Sequence, residues 1–177
     1  GVYGMASPIL ELAPEFPEVE IEIVTGVTAA LSGAAVLGAP LTHDFAVVSL
    51  SDLMTPWGTI INRLKAAAEA DLVLCLYNPS SHKRADYLRK ACDILLTLLP
   101  GDRTCGWARN IGREGQEKGT LTLRELRNFP ADMFTTVFIG NSTTRIISGR
   151  MVTPRGYGEK EKPADRGDAS QGPGVEK

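Results

Sequence analysis

The stretch "DLVLCLY" (residues 71–77) most constrains what this chain can fold into. Leu72 to Leu76 are apolar without a break, the pattern of a strand covered on both faces rather than one with a wet side. Its neighbours read as the covering layer. "PWGTIINRLKAAAEA" (56–70) has helical spacing with Pro56 in its first turn. "SHKRADYLRKACDILLTLLP" (81–100) predicts a long amphipathic helix with Leu88, Ala91, Cys92, Leu95, Leu98 and Leu99 on one face, capped by Ser80 or Ser81.

The same alternation extends along the chain. "MASPILELA" (5–13) reads as a short helix. "EVEIEIVTG" (18–26) alternates Val19, Ile21 and Ile23 with glutamates and predicts a strand with one wet face. "VTAALSGAAVLGAP" (27–40) is a helix of small residues ended by Gly38 and Pro40, suited to close approach to a backbone or ligand. "FAVVSL", "RTCGWAR" and "MFTTVFIG" read as further strands and "TLRELRNF" as a short helix. This order predicts an α/β protein with a parallel or mostly parallel sheet. "LGAPLTHD" is read as a joint between two units, the first too short to own a sheet, the second with four or five strands. Residues 158–177 contain one Val and no other large apolar residue, and are expected to form a disordered tail.

In open α/β sheets ligands sit at the carboxyl ends of the strands. Those ends read "TGVTA", "SLSDLMTPW", "YNPSSHKR", "RNIGREG" and "GNSTTR", each polar, each directly after an apolar run. One shared mouth explains all five. Each also has a plain alternative. Thr25 or Thr28 can cap a helix, Asp52 can satisfy loop amides, and Asn78-Pro79 is a common turn pair. Arg109, Arg113 and Arg145 can be surface charge, and His43 can be a joint residue.

Composition narrows the classes. A net charge of −2 argues against bulk binding to nucleic acid or to an anionic membrane. No apolar run approaches the ~20 residues of a membrane span, and the N-terminus does not read as a signal peptide. Cys75, Cys92 and Cys105 have no metal-ligand spacing, so they read as buried, reduced thiols, with no metal expected and a cytoplasmic setting. Residues alone reach an α/β protein with a small-molecule cleft.

Several segments, in this order, resemble the tetrapyrrole methyltransferases: "GVYGMA", "GVTAALSGAAVLGAPLTHDFAVVSLSDLMTPW", "LYNPSSHKR", "RNIGREGQ", "MFTTVFIGNSTTR" and "GRMVTPRGY". The resemblance covers residues 1–157, with Thr25 standing where the family usually has Pro. It implies two α/β domains with a cleft between them: residues 1–40 as the C-terminal part of the first, residues 41–157 as the second. It implies S-adenosyl-L-methionine as methyl donor, a tetrapyrrole substrate and a homodimer. The family's Gly-rich loop ahead of "GVYG" is represented only by Gly1. The expectation is therefore of a chain whose N-terminal part is missing and which is inactive alone.

Carried over by resemblance, the cofactor contacts are Gly1, Val2, Tyr3, Thr28, Ala29, Leu76, Tyr77 and Ile111, with Gly140, Asn141 and Ser142 at the same mouth. Ser51, Asp52 and Thr55 would wall the tetrapyrrole site, and Lys83, Arg84, Arg109 and Arg113 would meet substrate carboxylates. The loop 49–57 and "GRMVTPRGY" imply methylation at C17 of precorrin-3B, or of cobalt-factor III, with ring contraction. That step needs proton transfer, for which His43, Asp52, Tyr77 and Arg109 are candidates. Another methylation, such as C11 of precorrin-4, an RNA or diphthamide methylase relative, and a non-catalytic binding or assembly module stay open.

Overall fold

Within the run at 71–77, Val73–Tyr77 form a strand buried at every position, second in a five-stranded sheet. In chain order the computed structural model, which describes residues 4–81 and 85–157, contains α1 (Ala6–Leu12), α2 (Ala29–Leu37), β1 (Gly38–Ala39) and β2 (Phe45–Ser49). There follow α3 (Trp57–Glu69), β3 (Val73–Tyr77), α4 (Tyr87–Leu95), β4 (Thr104–Arg109) and β5 (Glu117–Thr122). The last elements are α5 (Leu123–Leu126), β6 (Thr135–Ile139), β7 (Arg145–Ile147) and β8 (Arg150–Val152). No helix among the described residues is long and apolar enough to cross a membrane. The proposed tail at 158–177 lies outside the described residues.

The main sheet runs β2-β3-β6-β4-β5, and its polarity departs from the expectation. Only β2 and β3 are parallel; β6 is antiparallel to both β3 and β4, and β5 is antiparallel to β4. The cause is β5, which the sequence reading passed over because "EKGTLT" is polar and half exposed. β5 folds back on β4 in a hairpin. The chain then returns through α5 to the end of the sheet where β4 stopped, so β6 must run the other way.

Two layers cover the sheet. On one face α3, α4 and α5 enclose Val48, Leu74, Leu76, Cys105, Val137 and Ile139. On the other, α2 lays Ala30, Ala34 and Leu37 against Cys75, Tyr77, Phe138 and Met151. Gly33 makes that seat possible: a Cβ there would meet Phe138 Cζ at 2.8 Å and Ile111 Cδ1 at 3.0 Å. Gly38 ends α2 at φ 143°, a backbone conformation that side chains other than hydrogen resist. A small sheet, β1-β8-β7, follows at this exit. It is tied to the joint by the Thr153 hydroxyl, which donates to the Pro40 carbonyl at 2.6 Å and meets Thr144 Oγ1 at 2.7 Å.

Two other expectations fail locally. Residues 19–24 form no strand, because the alternating segment finds no ladder partner among the described residues. The helix expected over 81–100 begins only at Tyr87, after Asp86, and gives way to turns after Leu95; neither Ser80 nor Ser81 is its N-cap.

Candidate functional site

The carboxyl ends of β3 and β4 lie side by side with the amino end of β6, because Arg109 pairs with Thr135 across the antiparallel ladder. Beyond β3 and β4 the chain turns sharply through two asparagines with positive φ, Asn78 (54°) and Asn110 (51°), a conformation that Asn tolerates better than most residues. The N-terminus of α2 closes the third side. These elements bound an open cleft of about 280 Å³, near the lower end of the ~300–1,000 Å³ usual for small-molecule sites.

Its lining is mixed, with polar surface the larger share. Ala29, Ile111, Met133 and Phe134 supply the apolar surface, and the last two stand 61% and 58% exposed at the rim. Thr136, 6% exposed, faces the cleft with its hydroxyl unpartnered among the described residues. The loop after β4 is held by its own bonds: Arg113 N–H to the Asn110 carbonyl (2.9 Å), Gly112 N–H to Gln116 Oε1 (2.8 Å), and Asn110 Nδ2 to the Gly115 carbonyl (3.2 Å). Between them the backbone amide and carbonyl of Ile111 carry no hydrogen bond among the described residues. Arg113 lies over the Phe134 ring at 5.7 Å and has no acidic partner among the described residues.

Of the residues expected at the mouth, Ala29, Tyr77, Ile111 and Arg113 line this cleft, and Thr28 stands next to it as the N-cap of α2. Others are elsewhere. Gly140, Asn141 and Ser142 follow β6, which runs antiparallel, so they sit at the opposite edge of the sheet. There Gly140 N–H bonds the Thr104 carbonyl and Ser142 N–H bonds Asp71 Oδ1. Exposed His43 precedes β2 at that same far edge, about 16 Å from the mouth at about 3.3 Å per strand residue.

Leu76 is fully buried in the core against α3 and α4, its side chain on the face away from the cleft. Arg109 also points away. Its guanidinium is spent on Thr135 Oγ1, the Pro130 carbonyl, Glu117 and Asp132, which makes it a fastener of the β6 entrance rather than a free cation. Asp52 accepts a hydrogen bond from the Tyr87 hydroxyl at 2.5 Å, and Trp57 packs on the same tyrosine ring at 4.6 Å. The loop holding Ser51, Asp52 and Thr55 thus leans on α4, on the mouth side but outside the cleft lining. Gly1, Val2, Tyr3, Lys83 and Arg84 lie outside the described residues.

The lining residues that sequence reasoning missed are Asn78, Asn110 and 133–136. The asparagines carried a signal, since each directly follows an apolar strand. Residues 133–136 did not: in a parallel sheet the entrance of β6 would lie at the far edge.

A mixed sheet with an α2-capped cleft at its β3/β4 end belongs to a known class. Residues 1–127 match the tetrapyrrole (corrin/porphyrin) methylases, and the chain belongs to that family. It is 44% identical to a probable cobalt-factor III C(17)-methyltransferase of Salmonella typhimurium, over 89% of this chain and 66% of that one. It is 40% identical to a precorrin-3B C(17)-methyltransferase of a Sinorhizobium species, over 89% of this chain and 65% of that one. The crystal structure of the methyltransferase CobJ superposes with a TM-score of 0.80 at 36% identity, covering 87% of this chain and 66% of that one. The chain thus spans about two thirds of the length of these relatives.

Proposed function

We propose that this chain forms the S-adenosyl-L-methionine-binding part of an enzyme that methylates C17 of precorrin-3B or cobalt-factor III and contracts the macrocycle. The observation that carries the reading is the cleft itself. Apolar Ala29, Ile111, Met133 and Phe134 stand beside the Thr136 hydroxyl and the free backbone groups of Ile111, a mixed lining that suits a heterocycle with polar edges. The two relatives named for C17 methylation support the choice of substrate.

When bound, the cofactor supplies an electrophilic methyl group. The chain's own residues bind and orient. Ile111, Met133 and Phe134 exclude water, Ile111 and Thr136 offer hydrogen bonds, and Ala29 sets the rim. Arg113, exposed at the edge, is suited to a substrate carboxylate. Asp52, half-buried on the same side, is the expected proton-bearing group that remains near the mouth. Residues 1–40 are taken as part of a first α/β domain and 41–157 as the second. Three free, buried cysteines support a cytoplasmic setting, and exposed Val24, Val27 and Leu31 support burial in a homodimer.

The test, made on a protein that carries this chain together with the N-terminal part its relatives have, is transfer of labelled methyl from S-adenosyl-L-methionine to precorrin-3B, cobalt-factor III and precorrin-4 in parallel. Methylation of either of the first two at C17 is expected. Methylation of precorrin-4 alone would replace the reading with the C11 step.

A further inference from the structure

We propose that the hydroxyl of Tyr77 is a positioning group: it caps helix α2 from a different strand and so fixes Thr28 and Ala29 at the rim of the cleft. This deepens the reading of the cleft as a cofactor site and rests on it. The first amides of a helix have no partner within the helix, and the N-cap side chain usually supplies one. Thr28 is the N-cap of α2, with extended backbone (φ −69°, ψ 149°), yet its side chain makes no capping bond. Tyr77 takes over that role. The Ala30 N–H donates to Tyr77 Oη at 2.8 Å, and the Thr28 hydroxyl shares a hydrogen bond with the same oxygen.

The anchoring matters because of what precedes it. Residues 20–27 make no backbone–backbone hydrogen bond among the described residues, so α2 begins at the end of an unsupported stretch. Tyr77 is the first fixed point that the chain meets. It is itself held firmly, with its ring buried among Ala30, Ala34 and Phe138 and its carbonyl accepting from Leu50 N–H at 2.9 Å. One residue therefore joins the loop after β2, the end of β3 and the start of α2, and both Tyr77 and Ala29 line the cleft. With its oxygen engaged by Ala30 and Thr28, Tyr77 acts through α2 rather than as the proton carrier suggested by its residue type.

The variant Tyr77→Phe keeps the ring and removes only the cap. Amide exchange in the free protein is expected to quicken about tenfold at Ala30, with amides of β3 and β6 unchanged. S-adenosylhomocysteine is expected to bind about five- to tenfold more weakly, from loss of one cap. Binding is measured at a temperature where circular dichroism shows both proteins fully folded, so lowered stability alone would not move it. Thr28→Val, which spares the Ala30 bond, is expected to weaken binding only about two- to threefold and serves if Tyr77→Phe does not fold. Unchanged exchange at Ala30 would overturn the cap. Faster exchange with unchanged affinity would overturn the positioning role while the cofactor reading stands. Absence of binding by the unaltered protein would overturn the cofactor reading and the role with it, leaving the cap to be judged by exchange alone.

Discussion

At the scale of residues, the cleft depends on small groups and committed charges. Gly33 lets α2 approach β6, and Gly33→Ala would press a methyl onto Phe138 and Ile111. We expect a loss of about 1–3 kcal/mol in thermal or urea unfolding, the usual range for overpacking. Arg109 and Arg113, two arginines of one motif, are expected to part ways. Arg109→Ala removes the cation that joins the Pro130 carbonyl, Glu117 and Asp132 and should cost about 1–3 kcal/mol of stability. Arg113→Glu should leave stability within about 0.5 kcal/mol and weaken binding of the polycarboxylate substrate. The pair also shows what sequence can reveal at this scale. Both looked like cleft cations, because residue type and motif were visible. The β4 alternation that turns Arg109 toward Trp107, and the turn after β4 that lays Arg113 over Phe134, were not.

At the scale of elements, legibility followed the presence of a partner. β2, β3, β4 and β6 were readable from their apolar runs; β3 and β6 are buried throughout, whereas Phe45 and Val47 of β2 stand exposed. Residues 19–24 alternate as well as any strand, but a strand needs a ladder and none is provided among the described residues. β5 has the ladder without the pattern, because its Lys118, Gly119 and Thr120 pair with β4 at the sheet's edge. α5 shows the opposite economy. Only four residues long, it is fixed by a capping box in which Thr122 Oγ1 accepts from Glu125 N–H and the Glu125 carboxylate accepts from Thr122 N–H at 2.8 Å. Thr122→Ala should cost about 1 kcal/mol. The Glu125 carboxyl is held below its ordinary value, first by the Thr122 backbone amide and then by the Thr122 hydroxyl. A lowered folded-state value stabilises above the ordinary carboxylate range and is lost as pH falls through the lowered one. The stability difference between wild type and Glu125→Ala should therefore shrink on acidification below that range, as read from melting temperature against pH.

At the scale of the whole molecule, one reversal of chain direction decides where chemistry can occur. The α/β class and four of the main sheet's five strands were legible in the order of runs; the polarity of β6 was not, because it hangs on the hairpin formed by β5. That single strand moves residues 140–142 to the far edge and brings 133–136 to the cleft. The core on either side is tight. Burial pushes the Cys75 and Cys92 thiols up to about 12 and Cys105 further in the same direction, so all three stay protonated. Iodoacetamide at mild alkaline pH should label none in the folded protein and all three in denaturant. The central claim is that the cleft between the ends of β3 and β4 and the start of α2 holds the methyl donor. Titration of the isotopically labelled protein with S-adenosylhomocysteine, followed residue by residue in amide spectra, tests it directly. Shifts concentrated at Ala29, Tyr77, 110–113 and 134–136 are the predicted result. Shifts centred on 140–142, or none at the cleft under saturating ligand, would contradict it.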